Sequence, residues 1–184
     1  MKIYLAGPEV FLPNAEEIGN LKRDICRAWG HIGVFPLDNT VVMDYGTDPK
    51  IFAFEIYKQN IRTMNRCDAV IANMTPFRGI SMDVGTAFEM GYMAGCEKPV
   101  LAYSNVVEKY IDRVKRTLYA PSGTDENGAY RDLHGMLIED FGLHDNLMLE
   151  GAIDEGSIEL VTHAAKHDEL WTDLTAFEEC VRKL

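Results

Sequence analysis

The chain has 184 residues, of which 47% are hydrophobic and 26% are charged, and its formal net charge is −11. This length and composition fit a single globular domain over residues 1–184 and exclude the disordered and fibrous classes. Because an acidic surface repels phosphate backbones and anionic lipids, polymeric nucleic acid and membrane surfaces are poor partners, whereas small ligands remain suitable.

The sequence carries no pattern typical of membrane insertion, secretion or metal binding. Apolar stretches run about five to seven residues, well short of the ~20 that span a bilayer. The N-terminus lacks the longer apolar region and cleavage site of a signal peptide, so we expect a cytoplasmic protein. The four cysteines and five histidines are scattered without metal-ligand spacing, which predicts buried free thiols and no metal site.

The first part of the chain alternates strand and helix patterns. Asn14 stands three residues before Glu17, which is the spacing of a capping box, and Asp48-Pro49 combines a capping side chain with a first-turn proline. The pattern predicts a strand at Lys2–Gly7, a helix from Asn14 through Trp29, a strand at Gly33–Leu37 and a helix from Asp48 to Cys67.

The alternation continues with the run Asp68–Met74, which is apolar enough for a strand covered on both faces. After it the pattern predicts a helix at Ser81–Gly95, a strand at Pro99–Tyr103, a helix at Val106–Leu118, a polar loop at Tyr119–Tyr130, a helix-like stretch at His134–Phe141, a weak strand at Ile158–Val161 and a closing helix from Lys166 to Lys183. We therefore expect a doubly wound α/β fold, a flavodoxin/Rossmann-like open parallel sheet of about five strands flanked by helices.

Ligands of such sheets bind beyond the carboxyl ends of the strands. Three segments end predicted strands, namely Tyr4–Glu9, Asp38-Asn39 and Thr75–Glu89. The third segment contains two carboxylates and several glycines close together. We therefore expect the functional site on this edge of the sheet.

Asp83, Gly85 and Glu89 form the most informative group. Gly85 and Glu89 are four residues apart, so they share a helix face, and the absent side chain at Gly85 leaves room for a ligand over the Glu89 carboxylate. A carboxylate in such a cleft can displace a leaving group at an anomeric carbon and form a covalent sugar ester. By spacing alone, the favoured interpretation is a solvent-facing glutamate at Glu89 and no more than a helix cap at Asp83.

These residues resemble the nucleoside 2-deoxyribosyltransferase family. The resemblance spans residues 3 to about 150, and the spacing from Asp83 to Glu89 is its most specific part. The matching segments are Ile3-Tyr4 with Ala6-Gly7, Pro36-Leu37-Asp38-Asn39, Asp68, Asp83-Val84-Gly85, Glu89-Met90-Gly91-Tyr92 and Asp145-Asn146. Thr40–Thr47 and Tyr119–Tyr130 match nothing in the family pattern.

The resemblance implies catalytic roles for three residues. Glu89 would attack C1′ of the sugar, Tyr4 would hold the Glu89 carboxylate by a hydrogen bond, and Asp68 would serve near the base as the proton donor. Without the resemblance, Tyr4 is interpretable as an ordinary strand aromatic, and Asp68 as the residue that starts a strand.

The resemblance also implies substrate-binding residues. Asp83 and Asn146 would bind the 5′-hydroxyl, with Asn146 arriving from a neighbouring subunit of a homo-oligomer, a dimer or a multiple of dimers. The remaining residues expected at the substrate are Gly7, Gly85 and Asp38. No cofactor is implied.

The activity that the resemblance implies is transfer of the 2-deoxyribosyl group between nucleobases through a covalent Glu89 intermediate, with hydrolysis as a side reaction. Nucleosides and free nucleobases would be its small-molecule partners. A related alternative is a 2′-deoxynucleoside 5′-monophosphate N-hydrolase, which resembles this chain but has serine at the place of Asp83. An ionised Asp83 would repel a phosphate dianion, so nucleosides are preferred.

Two further alternatives come from other groups. Gly85-Thr86 and Glu89 match the end of the motif of lysine-decarboxylase-like phosphoribohydrolases, but Met82 and Asp83 stand where that motif has its phosphate-binding glycines. A non-catalytic nucleoside-binding domain with the same kind of sheet is the alternative of a different class.

Overall fold

A computed structural model of the chain describes residues 1–38, 48–153 and 159–184. Its strands are β1 Lys2–Ala6, β2 Ile32–Val34, β3 Ala69–Asn73, β4 Val100–Ser104, β5 Gly123–Thr124, β6 Tyr130–Arg131 and β7 Val161–Thr162. Its α-helices are α1 Ala15–Ala28, α2 Pro49–Asn65, α3 Val84–Gly95, α4 Tyr110–Val114, α5 Leu147–Glu150 and α6 Thr175–Arg182. Short 3-10 helices follow β1, β2 and β7 at Pro8–Phe11, Pro36–Asp38 and His167–Glu169.

Five strands form one parallel sheet in the spatial order β2-β1-β3-β4-β7. The strand order reverses between β1 and β3, which are paired with Tyr4 opposite Val70. The expected α/β fold with a five-stranded parallel sheet is confirmed. Loops leave the carboxyl ends of β1 and β3 in different directions at this reversal, which creates a crevice for a ligand.

Helices cover both faces of the sheet because successive strand side chains point to opposite sides. On one face, Tyr4 and Val70 pack with Met64 of α2 and Met90 of α3. The other face packs against α1 and α6 through a second cluster that includes Ile3, Leu5, Ile71, Leu101, Cys26, Phe177 and Cys180. None of the helices in the described residues is long and apolar enough to cross a membrane.

Two helix starts follow their local capping chemistry. Asp48 accepts a hydrogen bond from the Lys50 backbone N–H at 2.8 Å, so α2 begins at Pro49 as predicted. Asp83 accepts from the Thr86 N–H at 2.9 Å, so α3 begins after Asp83 and not at Ser81. At α1 the Asn14 amide bonds the Glu17 carboxylate at 3.4 Å and leaves the backbone uncapped.

The predicted helix at Val106–Leu118 is mostly wrong, since only Tyr110–Val114 is helical. The Ser104 hydroxyl bonds both the N–H and the carbonyl of Val106, at 3.1 and 3.0 Å. A side chain that satisfies nearby backbone groups competes with helix formation, so the chain stays extended there. The predicted strand at Gly33–Leu37 is similarly shorter, because a 3-10 turn begins at Pro36.

The predicted helix at His134–Phe141 is wrong. Gly135 has φ 77, in the left-handed region, and the Asp132 carboxylate accepts from the N–H groups of His134 and Met136 at 2.8 and 2.9 Å. These bonds turn the chain back on itself, so that Leu137 forms an antiparallel bridge with Arg131. The loop expected at Tyr119–Tyr130 likewise contains part of the β5–β6 ribbon.

The closing helix predicted from Lys166 to Lys183 is interrupted. Asp173 accepts from the Thr175 N–H at 2.9 Å and pairs with His163 at 3.0 Å, and these bonds separate the 3-10 turn from α6. The weak strand predicted at Ile158–Val161 is displaced to Val161–Thr162, and Ile158 lies outside the described residues.

A buried ion pair joins α1 to the loop after β1. The Lys22 ammonium donates to Glu9, and both side chains are 1% exposed. Asn73 and Tyr103 donate to the same Glu9 oxygen at 3.0 and 2.8 Å. Burial acts to raise the pKa of Glu9, but the Lys22 charge and these hydrogen bonds hold that pKa below its usual value. The pair therefore stays ionised within the core.

Replacing Lys22 with Met should lower the free energy of unfolding by about 3–5 kcal/mol, because it leaves the buried Glu9 charge uncompensated. Urea denaturation measures the loss. Lys58→Met breaks the exposed pair with Glu55 and is the control, expected to cost less than about 1 kcal/mol. Equal effects of the two substitutions would contradict this account of the core.

Candidate active site

Tyr4 and Glu89 form the centre of the site. Tyr4 lies in β1, and α3 runs back across the same face of the sheet, which brings Glu89 over the Tyr4 ring. The Tyr4 hydroxyl donates to Glu89 Oε1 at 2.6 Å. Tyr4 is fully buried and Glu89 is partly buried, so the carboxylate faces the sheet and not the outer side of the helix.

The surroundings of Glu89 favour its neutral form. Burial raises its pKa to about 7; the Tyr4 hydrogen bond lowers that pKa, and the charge of Asp83 raises it. Burial also raises the pKa of Tyr4 well above its usual value, so Tyr4 remains a neutral donor. Glu89 is consequently a carboxylate with few hydrogen-bond partners that changes ionisation near neutral pH.

Asp83 and Gly85 lie one to two turns before Glu89. Asp83 Oδ2 accepts from the backbone N–H and the hydroxyl of Thr86, at 2.9 and 3.0 Å. Among the described residues, a Cβ at Gly85 would meet only Asp83, with Oδ2 at 3.0 Å. A ligand above Glu89 would meet no side chain from position 85, because glycine has none.

Gly7 ends β1 beside the buried ion pair. A Cβ at Gly7 would overlap the Glu9 carboxylate and approach the Asn73 Cβ to 3.0 Å. Only glycine allows the backbone to pass this close to the carboxylate. Gly7 therefore shapes the loop beside the strand reversal.

Asp38 follows the short strand β2 at the same edge of the sheet. Its carboxylate pairs with Arg23 and accepts from the Phe35 N–H at 2.9 Å. It contacts neither Tyr4 nor Glu89, and its neighbour Asn39 lies outside the described residues. In this arrangement Asp38 closes the turn after β2.

Asp68 is not brought to Glu89. It precedes β3 at the amino edge of the sheet, where its carboxylate accepts from the Lys2 N–H at 2.7 Å and its own N–H bonds the Lys2 carbonyl at 2.7 Å. Ligands bind at the opposite edge. The geometry therefore gives no support to Asp68 as the proton donor and assigns it to strand pairing.

The segment that carries Asn146 bonds the residue before Asp83, but the Asn146 side chain bonds other groups. Its neighbour Asp145 accepts from the Met82 N–H at 2.9 Å. The Asn146 side chain caps α5 by accepting from the Met148 N–H at 3.0 Å and donates to Glu139 at 2.9 Å. Within one chain, the Asn146 amide therefore contacts neither Asp83 nor Glu89.

Sequence reasoning missed an aromatic group at the carboxyl edge. Phe11 stacks on Phe77 with 5.6 Å between ring centroids, and Trp171 meets Phe77 edge-on at 5.8 Å. The Arg78 guanidinium lies 4.5 Å from the Phe77 centroid, and Arg78 has φ 54, in the left-handed region. The rings come from three distant segments, and the only sequence signal was the position of Phe11 and Phe77 just after strands.

The described residues contain no group of three or more His, Cys, Asp or Glu side chains that could hold a metal ion. The four cysteines are free thiols; Cys26, Cys67 and Cys180 are buried, whereas Cys96 is exposed, contrary to expectation.

Comparison with known proteins agrees with this arrangement. A family model described as nucleoside 2-deoxyribosyltransferase matches residues 3–148. The chain belongs to the nucleoside 2-deoxyribosyltransferase family. The matched region contains Tyr4, Asp83 and Glu89 together with the segment that carries Asn146.

Individual proteins are similar to this chain over most of its length. A solved 2-desoxiribosyltransferase from Leishmania mexicana is 30% identical, with a TM-score of 0.65 over 98% of this chain and 97% of that protein. An uncharacterized protein of Schizosaccharomyces pombe is 31% identical over 82% of this chain and 76% of its own length. A conserved protein from Enterococcus faecalis shares the fold, with a TM-score of 0.53 and 19% identity over 100% of this chain and 98% of that protein. The family match and the Leishmania mexicana structure indicate an enzyme of the nucleoside deoxyribosyltransferase kind.

The raised pKa of Glu89 predicts a stability effect. Because its folded pKa of about 7 exceeds the usual 4.5, its contribution to stability is complete below pH 4.5 and is lost as the pH rises through about 7. Glu89→Gln lacks this titration, so above pH 7 its free energy of unfolding should exceed that of the wild type by about 1–3 kcal/mol. Thermal unfolding at pH 4.5 and pH 8 measures the difference.

The control for this measurement is Glu16→Gln, which replaces an exposed glutamate in the first turn of α1. Its stability relative to the wild type should be the same at the two pH values. A Glu89→Gln protein with the same pH dependence as the wild type would show that Glu89 titrates like an ordinary surface carboxylate.

Proposed function

We propose that the protein transfers the 2-deoxyribosyl group of a 2′-deoxynucleoside to a second nucleobase, with Glu89 as the nucleophile. The observation that carries the proposal is the hydrogen bond from the buried Tyr4 to Glu89 Oε1, at 2.6 Å, beneath the open turn of Gly85. Among the described residues, Glu89 Oε2 has no hydrogen-bond partner. That oxygen is therefore suited to attack the sugar.

In the first step, Glu89 Oε2 bonds to C1′ while the N-glycosidic bond breaks and its electron pair stays on the leaving base. The positive charge that develops on the sugar ring is stabilised by the carboxylate before the ester forms. The Tyr4 hydrogen bond orients the carboxylate through its other oxygen and favours the ionised form that attacks. The ionised fraction of Glu89 grows as the pH rises through about 7.

In the second step, a nitrogen of an incoming base bonds to C1′, the ester bond breaks, and its electron pair returns to the Glu89 carboxylate. Two displacements at C1′ retain the configuration of the starting nucleoside. When water replaces the incoming base, the product is free deoxyribose, so hydrolysis competes with transfer.

The leaving base needs one proton, and we propose that a water molecule at the site supplies it; the hydroxide that remains takes the proton that the incoming base releases in the second step. Asp68 was the predicted donor, but its carboxylate bonds the Lys2 N–H at the far edge of the sheet. Asp83 is the carboxylate whose charge raises the pKa of Glu89. Asp83 Oδ1 has no partner among the described residues, so we assign it to the 5′-hydroxyl of the sugar, where an ionised carboxylate disfavours a 5′-phosphate.

Replacing Glu89 with Ala should reduce base exchange by at least about a thousandfold, because it removes the carboxylate that forms the sugar ester. The assay incubates thymidine or deoxyinosine with free adenine and separates the products by chromatography. Deoxyadenosine as product indicates transfer, and deoxyribose indicates hydrolysis. Asp68→Asn serves as the matched carboxylate control and should retain activity within about tenfold.

Each alternative predicts a different result in this assay. Base release from a deoxynucleoside 5′-monophosphate faster than from the nucleoside would favour the N-hydrolase. A thermal shift with deoxynucleosides but no release of base would favour a binding domain. Full activity of Glu89→Ala would end the proposal, and a large loss in Asp68→Asn would restore the donor role of Asp68.

We also propose that the active protein is a homo-oligomer in which Asn146 serves the site of a neighbouring subunit. Two observations support this proposal. The Asn146 amide bonds Glu139 within its own chain and not Asp83. Val84 and Phe88, which lie on α3 between Asp83 and Glu89, are 84% and 50% exposed, and a second subunit would cover such apolar side chains.

Subunit mixing tests shared sites. Glu89→Ala and Asn146→Ala proteins should each be nearly inactive. When they are unfolded and refolded together as a dimer, about a quarter of the sites should contain both native residues and regain activity. Each variant refolded alone is the control. An absence of recovery from mixed subunits that do associate would place both residues in one chain.

A further inference from the structure

A buried charged pair lies beside the proposed site and takes no part in the chemistry described above. Arg113 of α4 and Asp145, just before α5, are 8% and 2% exposed. The guanidinium Nη2 lies 3.7 Å from Asp145 Oδ2. Burying two charges is costly unless each is paired and hydrogen-bonded, so the bonds that these side chains make indicate what the pair does.

Both side chains bond the backbone of the segment that leads into Asp83. Arg113 Nε donates to the Ile80 carbonyl at 2.7 Å, and Asp145 Oδ2 accepts from the Met82 N–H at 2.9 Å. The pair therefore fixes the chain on both sides of Ser81, and the next residue after Met82 is Asp83. Two bonds to backbone groups on either side of Ser81 determine both the position and the orientation of this segment.

The pair makes further hydrogen bonds to the backbone of the protein. Arg113 also donates to the carbonyls of Glu108, at 2.6 Å, and His144. Asp145 Oδ1 accepts from the Asn146 N–H at 2.8 Å. Both charged groups are more than nine-tenths buried and bonded to backbone groups of the protein, so we expect any effect on catalysis to pass through the backbone that they hold.

Asp83 is the residue through which such an effect would pass. Its Oδ2 is committed to Thr86, and its Oδ1 has no partner among the described residues. The position of Oδ1 depends on where the backbone enters α3, which Arg113 and Asp145 fix at Ile80 and Met82, three residues and one residue before Asp83. A displacement of about 1 Å is enough to weaken a catalytic contact severely.

We propose that Arg113 and Asp145 are positioning residues that hold the Ile80–Asp83 segment and thereby determine how strongly the enzyme recognises the 5′-hydroxyl of its substrate. This inference rests on the proposed function, in which Asp83 faces the sugar. It assigns the specificity for the 5′ position to two residues that never touch the nucleoside.

The test compares a 2′-deoxynucleoside with its 2′,5′-dideoxy analogue, which lacks only the 5′-hydroxyl. The ratio of the two kcat/KM values measures recognition of that hydroxyl, and a hydrogen bond to a charged group makes this ratio about 10–100 in the wild type. Asp145→Asn and Arg113→Lys should each lower the ratio by at least about fivefold, with a much smaller change for the dideoxy analogue.

Two comparisons separate positioning from a general loss of structure. Asp112→Asn removes an exposed carboxylate that pairs with Lys115 on the surface of α4, and it should leave the ratio unchanged. In an Asp83→Asn protein, adding Asp145→Asn should lower the ratio no further, because both substitutions act on the same contact. Thermal unfolding of each variant shows whether it is folded. Of Asp145→Asn and Arg113→Lys, the second keeps the charge and is the milder substitution.

The outcomes are distinct. A ratio that stays at the wild-type value in folded Asp145→Asn and Arg113→Lys proteins, or equal losses on both substrates, would overturn the inference and leave the proposed function intact. A further fall of the ratio in the double variant would also overturn it, by showing a route that bypasses Asp83. A wild-type protein inactive on both substrates would overturn the proposed function and the inference together.

Discussion

The hydrogen bond between Tyr4 and Glu89 is the interaction on which the site depends. It joins the first strand of the sheet to a helix that enters the fold 80 residues later, at 2.6 Å and under partial burial. Burial raises the pKa of the carboxyl group, while the phenol hydrogen bond acts in the opposite direction and fixes one carboxylate oxygen. The result is a carboxylate with little solvation and a defined orientation, which are the properties that nucleophilic attack on a sugar requires.

Two buried ion pairs support the loops on either side of this carboxylate. Glu9 and Lys22 lie under the loop that leaves β1, and Gly7 is required there because a side chain would overlap the Glu9 carboxylate. Arg113 and Asp145 hold the segment that leaves β3 and enters α3. Each pair costs desolvation energy that an apolar pair would avoid, and each bonds the backbone or side chains next to the crevice. Their common feature is precise placement of a loop at the carboxyl edge of the sheet.

The sheet was predictable from the sequence because its determinants are local. Buried parallel strands such as Asp68–Met74 are continuously apolar, and the helix start at Asp48-Pro49 depends on the capping of nearby backbone groups. The helices predicted at Val106–Leu118 and His134–Phe141 were wrong for an equally local reason. Ser104 and Asp132 satisfy backbone groups within four residues of themselves, and an apolar periodicity does not register that competition.

The sequence by itself determined the parallel α/β fold, the family and the position of Gly85 and Glu89 on one face of a helix. Helical spacing and strand periodicity are properties of short segments, so they can be recognised without the tertiary structure. The family resemblance predicted the hydrogen bond from Tyr4 to Glu89, and the structure contains it. Only the tertiary structure decided that Asp68 is confined to the amino edge and that Arg113 bonds the segment before Asp83. These contacts join residues 33 to 85 positions apart. Such pairings follow from strand order and helix packing, which no short segment of sequence contains.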